Sequence, residues 1–335
     1  MQIGADFTWY PALGYHTEHP LVQNNLKYEL MNILFNLAAL YSQLAVASNR
    51  GTTEGLKTAA SWFSQAAGVL THMKNEVLPE LRMANPPDDM DEATLESLTQ
   101  LLLAQSQEYF WLKAVMDGYK DASIAKLAAH VSDLYNLAGE AAIRSSAVSS
   151  AWIHHMSAKH HHFAAAAQYR AACDCLEKRK YGEEVARLID AVACVNDGLR
   201  ESKGGYLSKA VVEDLQGLKK RVEEDLKRAE KDNDVIYLRE LLIFQPCQRL
   251  VADIRFLQRL YPRNLSSRSS TEPTWPWLES PRRWLSHTSF SGTTPSLGPP
   301  SSTSSFHLLS MLPCPSMKND VIDLSTTISL QNSKP

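Results

Sequence analysis

The sequence predicts an all-α fold with one short β element near its N-terminus. Apolar residues recur at three- and four-residue spacing from Leu26 to the neighbourhood of Asp232, the pattern of helices that each bury one face. The breaks in that pattern are short and polar or contain glycine, as at Lys203-Gly204-Gly205, so successive helices lie against one another. With 14 Gly and 16 Pro in 335 residues, 44% hydrophobic and 21% charged, the composition is that of a globular chain and lacks the periods of fibres or propellers.

The elements follow in order. Residues 3–13, with Phe7, Trp9 and Tyr10, have strand character and no visible partner strand. Residues 21–48 carry Leu26, Leu30, Ile33, Leu34, Leu37, Leu40, Tyr41 and Leu44 on one broad face and read as a buried helix. Its apolar run, Ile33 to Ala47, is broken by Asn36, Ser42 and Gln43 and falls short of the roughly 20 residues that span a bilayer. Thr53 can cap a second helix that runs to Leu81, and Pro86-Pro87 stops it. A third helix over residues 92–119 places Leu95, Leu98, Leu102, Tyr109 and Leu112 on one stripe, and a fourth runs to Ser146. Three more cover residues 151–178, 182–201 and 207–232.

Beyond Leu238 the character changes. Residues 241–260 can form one more helix, but residues 266–305 hold 13 Ser and 6 Pro, too little apolar area to offset an ordering cost of about 1–2 kcal/mol per residue. Residues 1–238 therefore read as one folded domain and residues 239–335 as a divergent, largely disordered tail. Residues 1–238 carry 24 basic and 31 acidic side chains and residues 239–335 carry 10 and 6; neither balance gives the basic footprint of a nucleic-acid binder. Five cysteines, Cys173, Cys175, Cys194, Cys247 and Cys314, have no metal spacing and follow no signal segment, which points to a reduced, cytoplasmic chain.

Two patterns invite a chemical reading. His154, His155, His160, His161 and His162 include no pair at i,i+3 or i,i+4, the spacing a helix needs to bring two ligands onto one metal, so contacts between helices are the expected role. Cys173 followed at the sixth position by Arg179 has the bare spacing of a cysteine phosphatase loop, but the intervening Asp174-Cys175-Leu176-Glu177-Lys178 is helical and partly acidic where such a loop must cradle phosphate. Glu183 and Glu184 fall in a first helical turn, where they complement the helix dipole. No nucleotide loop, nucleophile elbow or zinc-hydrolase helix is present. Tyr10-Pro11-Ala12-Leu13 has the form of a short linear motif, and its aromatic neighbours predict burial rather than display. These residues give no catalytic constellation.

Six blocks, in order, carry a resemblance: Phe7-Thr8-Trp9, Glu54-Gly55-Leu56-Lys57, Leu103-Ala104-Gln105-Ser106-Gln107-Glu108, Lys120-Asp121-Ala122-Ser123-Ile124-Ala125-Lys126-Leu127-Ala128, Gly182-Glu183-Glu184-Val185-Ala186-Arg187-Leu188 and Lys231-Asp232-Asn233-Asp234. Together they resemble the BRO domain of the Alix family over residues 7–238. Within it, Trp9-Tyr10-Pro11-Ala12-Leu13-Gly14-Tyr15 and the His-rich run through Tyr169 are most similar to the fungal pH-response branch. The resemblance implies a curved helical solenoid with tetratricopeptide-like hairpins that works as a non-enzymatic scaffold, cytoplasmic and recruited to endosomes. It implies a partner, the C-terminal amphipathic helix of an ESCRT-III subunit of the Snf-seven class, through which the endosomal membrane is reached. No cofactor, metal or nucleic acid is implied.

Matched block by block, the partner-binding patch comprises Phe110, Lys113, Ser123 and Leu127, with Lys57 on the neighbouring helix. Phe110 and Lys113 are i,i+3 neighbours and Ser123 and Leu127 are i,i+4 neighbours, so each pair can share a face. Ser123 stands where animal members carry isoleucine, a loss of apolar contact of about 1–2 kcal/mol. The first quarter of the family domain has no counterpart here, which predicts a truncated N-terminus. The tail after Leu238 matches neither the family's extended segment nor its coiled-coil arm, as an alternative reading frame would produce. Recruitment of a transcription factor is expected only of the full-length family member. The other readings are an endosomal cargo-sorting adaptor of the multivesicular-body pathway and, from a different class, a phosphatase using Cys173.

Overall fold

Two short strands and seven helices make up the described part of the chain, which in this computed structural model comprises residues 5–14, 19–83 and 86–237. Strand β1 (Phe7–Trp9) pairs antiparallel with β2 (Leu21–Gln23), Thr8 opposite Val22. The strand predicted to lack a partner thus has one: Leu21-Val22-Gln23 is extended rather than the start of the first helix. Asn25 then caps helix α1 (Leu26–Ala47) by accepting from the Lys27 N–H at 2.9 Å. The indole of Trp9 donates to Glu29 at 2.5 Å, pinning the ribbon to α1.

Helix α2 (Thr53–His72) is capped by Thr52, not Thr53; the Thr52 hydroxyl accepts from the Gly55 N–H at 3.1 Å. Gly55 is required there, since a Cβ at this position would stand 1.8 Å from the Asn49 carbonyl oxygen. Past His72 the chain continues through a π turn over Met73–Val77 and a 3-10 turn over Leu78–Glu80. Helix α3 (Glu92–Met116), capped by Asp91, leads through Gly118, at φ +67°, into α4 (Asp121–Arg144). Helices α5 (Ser150–Glu177), α6 (Tyr181–Arg200) and α7 (Lys209–Asp232) complete the series. Each helix packs chiefly on the next, α1 on α2 through α6 on α7, so hairpin follows hairpin as in a solenoid.

One core joins α1, α2 and α3 through Tyr28, Met31, Leu56, Phe63, Leu70, Leu95 and Tyr109; another joins α5, α6 and α7 through Tyr169, Leu188, Val195, Leu215 and Val222. The stripe Leu95, Leu98, Leu102 and Tyr109 is buried as the spacing predicts. Helix α1 follows its predicted stripe only in part: Leu34, Leu37 and Tyr41 pack, partly buried, against the core. Its fully buried residues are Tyr28, Met31, Ala38, Ser42 and Ala45, whereas Leu26, Ile33, Leu40 and Leu44, expected in the core, are about half exposed. Small Ala38, Ser42 and Ala45 let α2 approach closely. By length and composition α1 alone among the described helices is apolar enough to cross a membrane.

The histidines of α5 serve inter-helix contacts. His154 meets Glu201 at 2.6 Å and stacks on Tyr206 at 4.8 Å between ring centres, and His160 meets the Ser132 hydroxyl at 2.9 Å. Between α3, α4 and α5 lies a buried ion pair, Lys159 Nζ to Glu108 Oε1 at 2.8 Å, whose second carboxylate oxygen accepts from the Tyr135 hydroxyl at 2.7 Å. Burial pushes the Glu108 carboxyl upward, but Lys159 and Tyr135 more than reverse this and hold it below the usual range.

His155 and His162 lie one turn before and after Lys159. Burial, reinforced by Lys159 and opposed by Glu108, pushes both imidazoles down to about 4. Because the folded values lie below the unfolded 6.5, the unfolded chain binds more protons in between, and stability falls as pH drops from 6.5 toward 4. By pH 5 the loss is roughly 2 kcal/mol per histidine. Denaturant titrations at pH 5 and 7 should show His155→Gln/His162→Gln losing most of this difference.

Candidate functional site

The five residues of the expected patch gather near one end of the helical stack, where α2 begins, α3 ends and α4 begins. The Thr53 hydroxyl reaches Asp117 at 3.5 Å, joining the first turn of α2 to the residue that caps α3. Lys57 lies one turn along α2 from Thr53, and Lys113 one turn back along α3 from Asp117, so both lysines border the same α2–α3 seam. Phe110, one further turn back, is half-buried and packs against the core of α1, α2 and α3. On the same seam the Ser106 hydroxyl donates to the Ala60 carbonyl at 2.9 Å, which fixes how α3 sits on α2.

The two lysines differ. Lys113 is ion-paired to Asp117, lies 5.8 Å from the Tyr119 ring centre and has a side chain only 19% exposed. Among the described residues Lys57 is paired with Glu54 of its own first turn, at 3.2 Å, and its side chain is 52% exposed. An acidic group arriving from outside therefore meets Lys57 first. Surface pairs of this kind contribute about 0–1 kcal/mol, so Lys57 exchanges partners at little cost.

Ser123 is half-buried in the first turn of α4, its N–H bound to the Lys120 carbonyl at 2.8 Å. Leu127, one turn on, is fully buried at 0% exposure. The i,i+4 relation to Ser123 does not display it: α4 packs on both α3 and α5, and its inward face is wide enough to take in Leu127 along with Ile124 and Val131. Leu127 thus supports the floor of the patch and offers no surface to a partner. Two residues that spacing missed do offer one. Met116 is 49% exposed and Tyr119 36% exposed, at the end of α3 and in the Gly118 turn; both fall after the α3 stripe, where the helical period stops naming faces.

Other expectations resolve here. Cys173 lies inside α5, and burial pushes its thiol up to about 11 with Asp121 reinforcing, the reverse of what a nucleophile needs. Arg179 follows the helix in a left-handed turn at φ 59°, so residues 173–179 form no anion cradle. Glu184 does more than complement a dipole: it is buried and ion-paired to Arg228 of α7 at 2.8 Å. Tyr10 is displayed, at 59% exposure, although burial was expected. The tail beyond Leu238, with Cys247, Cys314 and the possible helix at 241–260, lies outside the described residues.

Comparison with known proteins agrees with this architecture. The model of the BRO1-like domain matches residues 1–243. The Neurospora crassa pH-response regulator protein palA/prr-1 is 82% identical over 238 residues, covering 71% of this chain and 28% of the relative. The Emericella nidulans pH-response regulator protein palA/RIM20 is 63% identical over a stretch of the same length and coverage. The chain thus spans little more than a quarter of the length of these relatives. Among solved structures, the ALIX BRO1 CHMP4C complex superposes with a TM-score of 0.65 at 33% identity, covering 72% of this chain and 66% of that one. ALIX in complex with the SIVmac239 PYKEVTEDL late domain gives 0.63 at 32%, covering 71% and 33%. The helical hairpins, the short N-terminal ribbon and the family match lead to one conclusion: the chain belongs to the BRO1-like domain family.

Proposed function

We propose that this chain is a non-enzymatic scaffold of fungal ambient-pH signalling, similar in role to its palA relatives, and that its α2–α3–α4 corner takes the C-terminal amphipathic helix of an ESCRT-III subunit of the Snf-seven class. The observation that carries the reading is the seam itself: half-buried Phe110, with Met116 and Tyr119 exposed beyond it, bordered by a half-exposed lysine paired with a surface glutamate. An amphipathic helix with acidic residues beside its apolar stripe fits such a surface, its apolar anchors supplying most of the affinity and Lys57 the register. The solved ALIX BRO1 complex with CHMP4C supports the choice of partner class. In this reading residues 1–238 are the binding domain and residues 239–335 a separate tail, the protein is cytoplasmic, and endosomes are reached through the bound subunit. Transcription-factor recruitment belongs to longer members of the family.

A fluorescence titration of the purified chain with that C-terminal helix tests the proposal. Phe110→Ala should weaken binding about tenfold, or about 1.4 kcal/mol, and Lys57→Glu about fivefold, with helical content by circular dichroism unchanged. Equal affinity for wild type and both folded variants would remove the site.

A further inference from the structure

Among the described residues, the loop that follows β1, residues 10–14, is hydrogen-bonded to the helical stack through the Asp89 side chain. Asp89, in the 3-10 turn Asp88–Met90 before α3, accepts the Ala12 N–H at 2.6 Å across 77 residues of sequence. It is 3% exposed, and its other oxygen, Oδ1, has no hydrogen-bond partner among the described residues. Among the described residues the groups that bear on it are its own N–H, the Asp88 carboxylate beside it, the Tyr28 phenol from α1 and, from the loop, the N–H groups of Ala12 and Leu13. Within this loop the Tyr10 side chain faces solvent, whereas Leu13 packs on the α1–α3 core.

A carboxylate enclosed in this way carries a buried charge that the N–H groups of Ala12, Leu13 and Asp89 itself only partly offset, and Asp88 adds repulsion. A neutral carboxyl in the same place carries no such cost. We propose that Asp89 is a proton-operated latch on the loop of residues 10–14, holding it firmly on the helical stack when the carboxyl is protonated and more loosely when it is ionised. Burial pushes the docked carboxyl up to about 6 from its ordinary 3.8, the Ala12, Asp89 and Leu13 N–H groups opposing and Asp88 reinforcing. The docked state therefore binds more protons between those values, so docking weakens as pH rises through the window and levels off above it. Release carries Leu13 off the core and presents it with Tyr10 on one free segment. The latch lies on the β1 side of the fold and does not depend on partner binding at the α2–α3–α4 corner.

Hydrogen exchange of the loop amides in the full chain, corrected for intrinsic exchange and referenced to amides of α6, tests it. Docked and free values of about 6 and 3.8 make the loop about tenfold more open at pH 7.5 than at pH 5.0. Asp89→Asn keeps the acceptor for Ala12 and cannot ionise, so its two openings should agree within about twofold, while Asp88→Asn should keep most of the tenfold response. Asp89→Ala should leave the loop open at both pH values. A wild-type loop equally protected at pH 5.0 and 7.5 would overturn the latch. So would a tenfold response that survives in Asp89→Asn, or an Asp89→Ala loop as protected as wild type. Should Asp89→Asn fail to fold, the wild-type and Asp88→Asn profiles decide: a flat profile in either overturns the assignment.

Discussion

Lys159→Met should lower the unfolding free energy by about 3–5 kcal/mol, because it leaves the Glu108 carboxylate buried among α3, α4 and α5 with its charge uncompensated. The Lys159 ammonium is 2.8 Å from Glu108 and lies 5.6 Å from the Phe163 ring centre, and Phe163 in turn meets Trp111 edge-on at 5.3 Å. The pair therefore sits inside an aromatic cage from which water is excluded. Removing both charges should cost much less than removing one. In Glu108→Gln/Lys159→Met the glutamine can still accept from Tyr135, and stability should return to within about 1–2 kcal/mol of wild type. Urea titrations of the two single variants and the double variant measure this coupling. Additive losses would mean that the two side chains do not act as a pair.

Leu127→Asp should unfold the domain rather than merely weaken its contact with a partner. Leu127 is fully buried in α4, and a carboxylate there loses the apolar contact and puts a charge into a site that excludes solvent, a cost of more than about 4 kcal/mol. Much of the marginal stability of a domain this size would be gone. Circular dichroism should show a large loss of helix or a transition shifted far down in temperature. An Asp variant as helical and as stable as wild type would place Leu127 at the surface after all and return it to the binding patch.

The contrast between Leu127 and Phe110 shows how far the sequence alone could be read. Three- and four-residue spacing identified all seven helices, since each buries a face of that period, and it marked their order because the breaks are short. Spacing cannot tell which face turns inward. In α1 only Leu34, Leu37 and Tyr41 of the predicted stripe pack on the core, and the most deeply buried face is the one whose Ala38, Ser42 and Ala45 admit α2. Ser123 and Leu127 share a side of α4, but only packing on α3 and α5 decides that Leu127 is inside. Strand β2 escaped notice because three extended residues just before a cap look like the first turn of the helix. Glu108 and Lys159 lie 51 residues apart, so neither announces its partner locally. Met116 and Tyr119 fall beyond the predicted α3 stripe, which ends at Leu112, the first in the last turn of the helix and the second in the turn after it.

The site residues are legible only in part for the same reason. Phe110 and Lys57 were placed by resemblance, and the folded chain sets them on one seam through the Thr53–Asp117 contact, a relation no single stretch of sequence contains. Lys113 belongs to the expected patch, but Asp117, four residues on, already occupies its ammonium.

The docking surface proposed for this chain is the α2–α3–α4 corner. It is tested most directly by a hydrogen-exchange footprint of the full chain saturated with the C-terminal helix of an ESCRT-III subunit of the Snf-seven class. Protection is expected over residues 53–57, 110–120 and 121–124, with α6 and α7 unchanged. Saturation that protects α6 and α7 or the outer face of α1, and leaves Phe110 to Tyr119 exchanging as in the free chain, would contradict it.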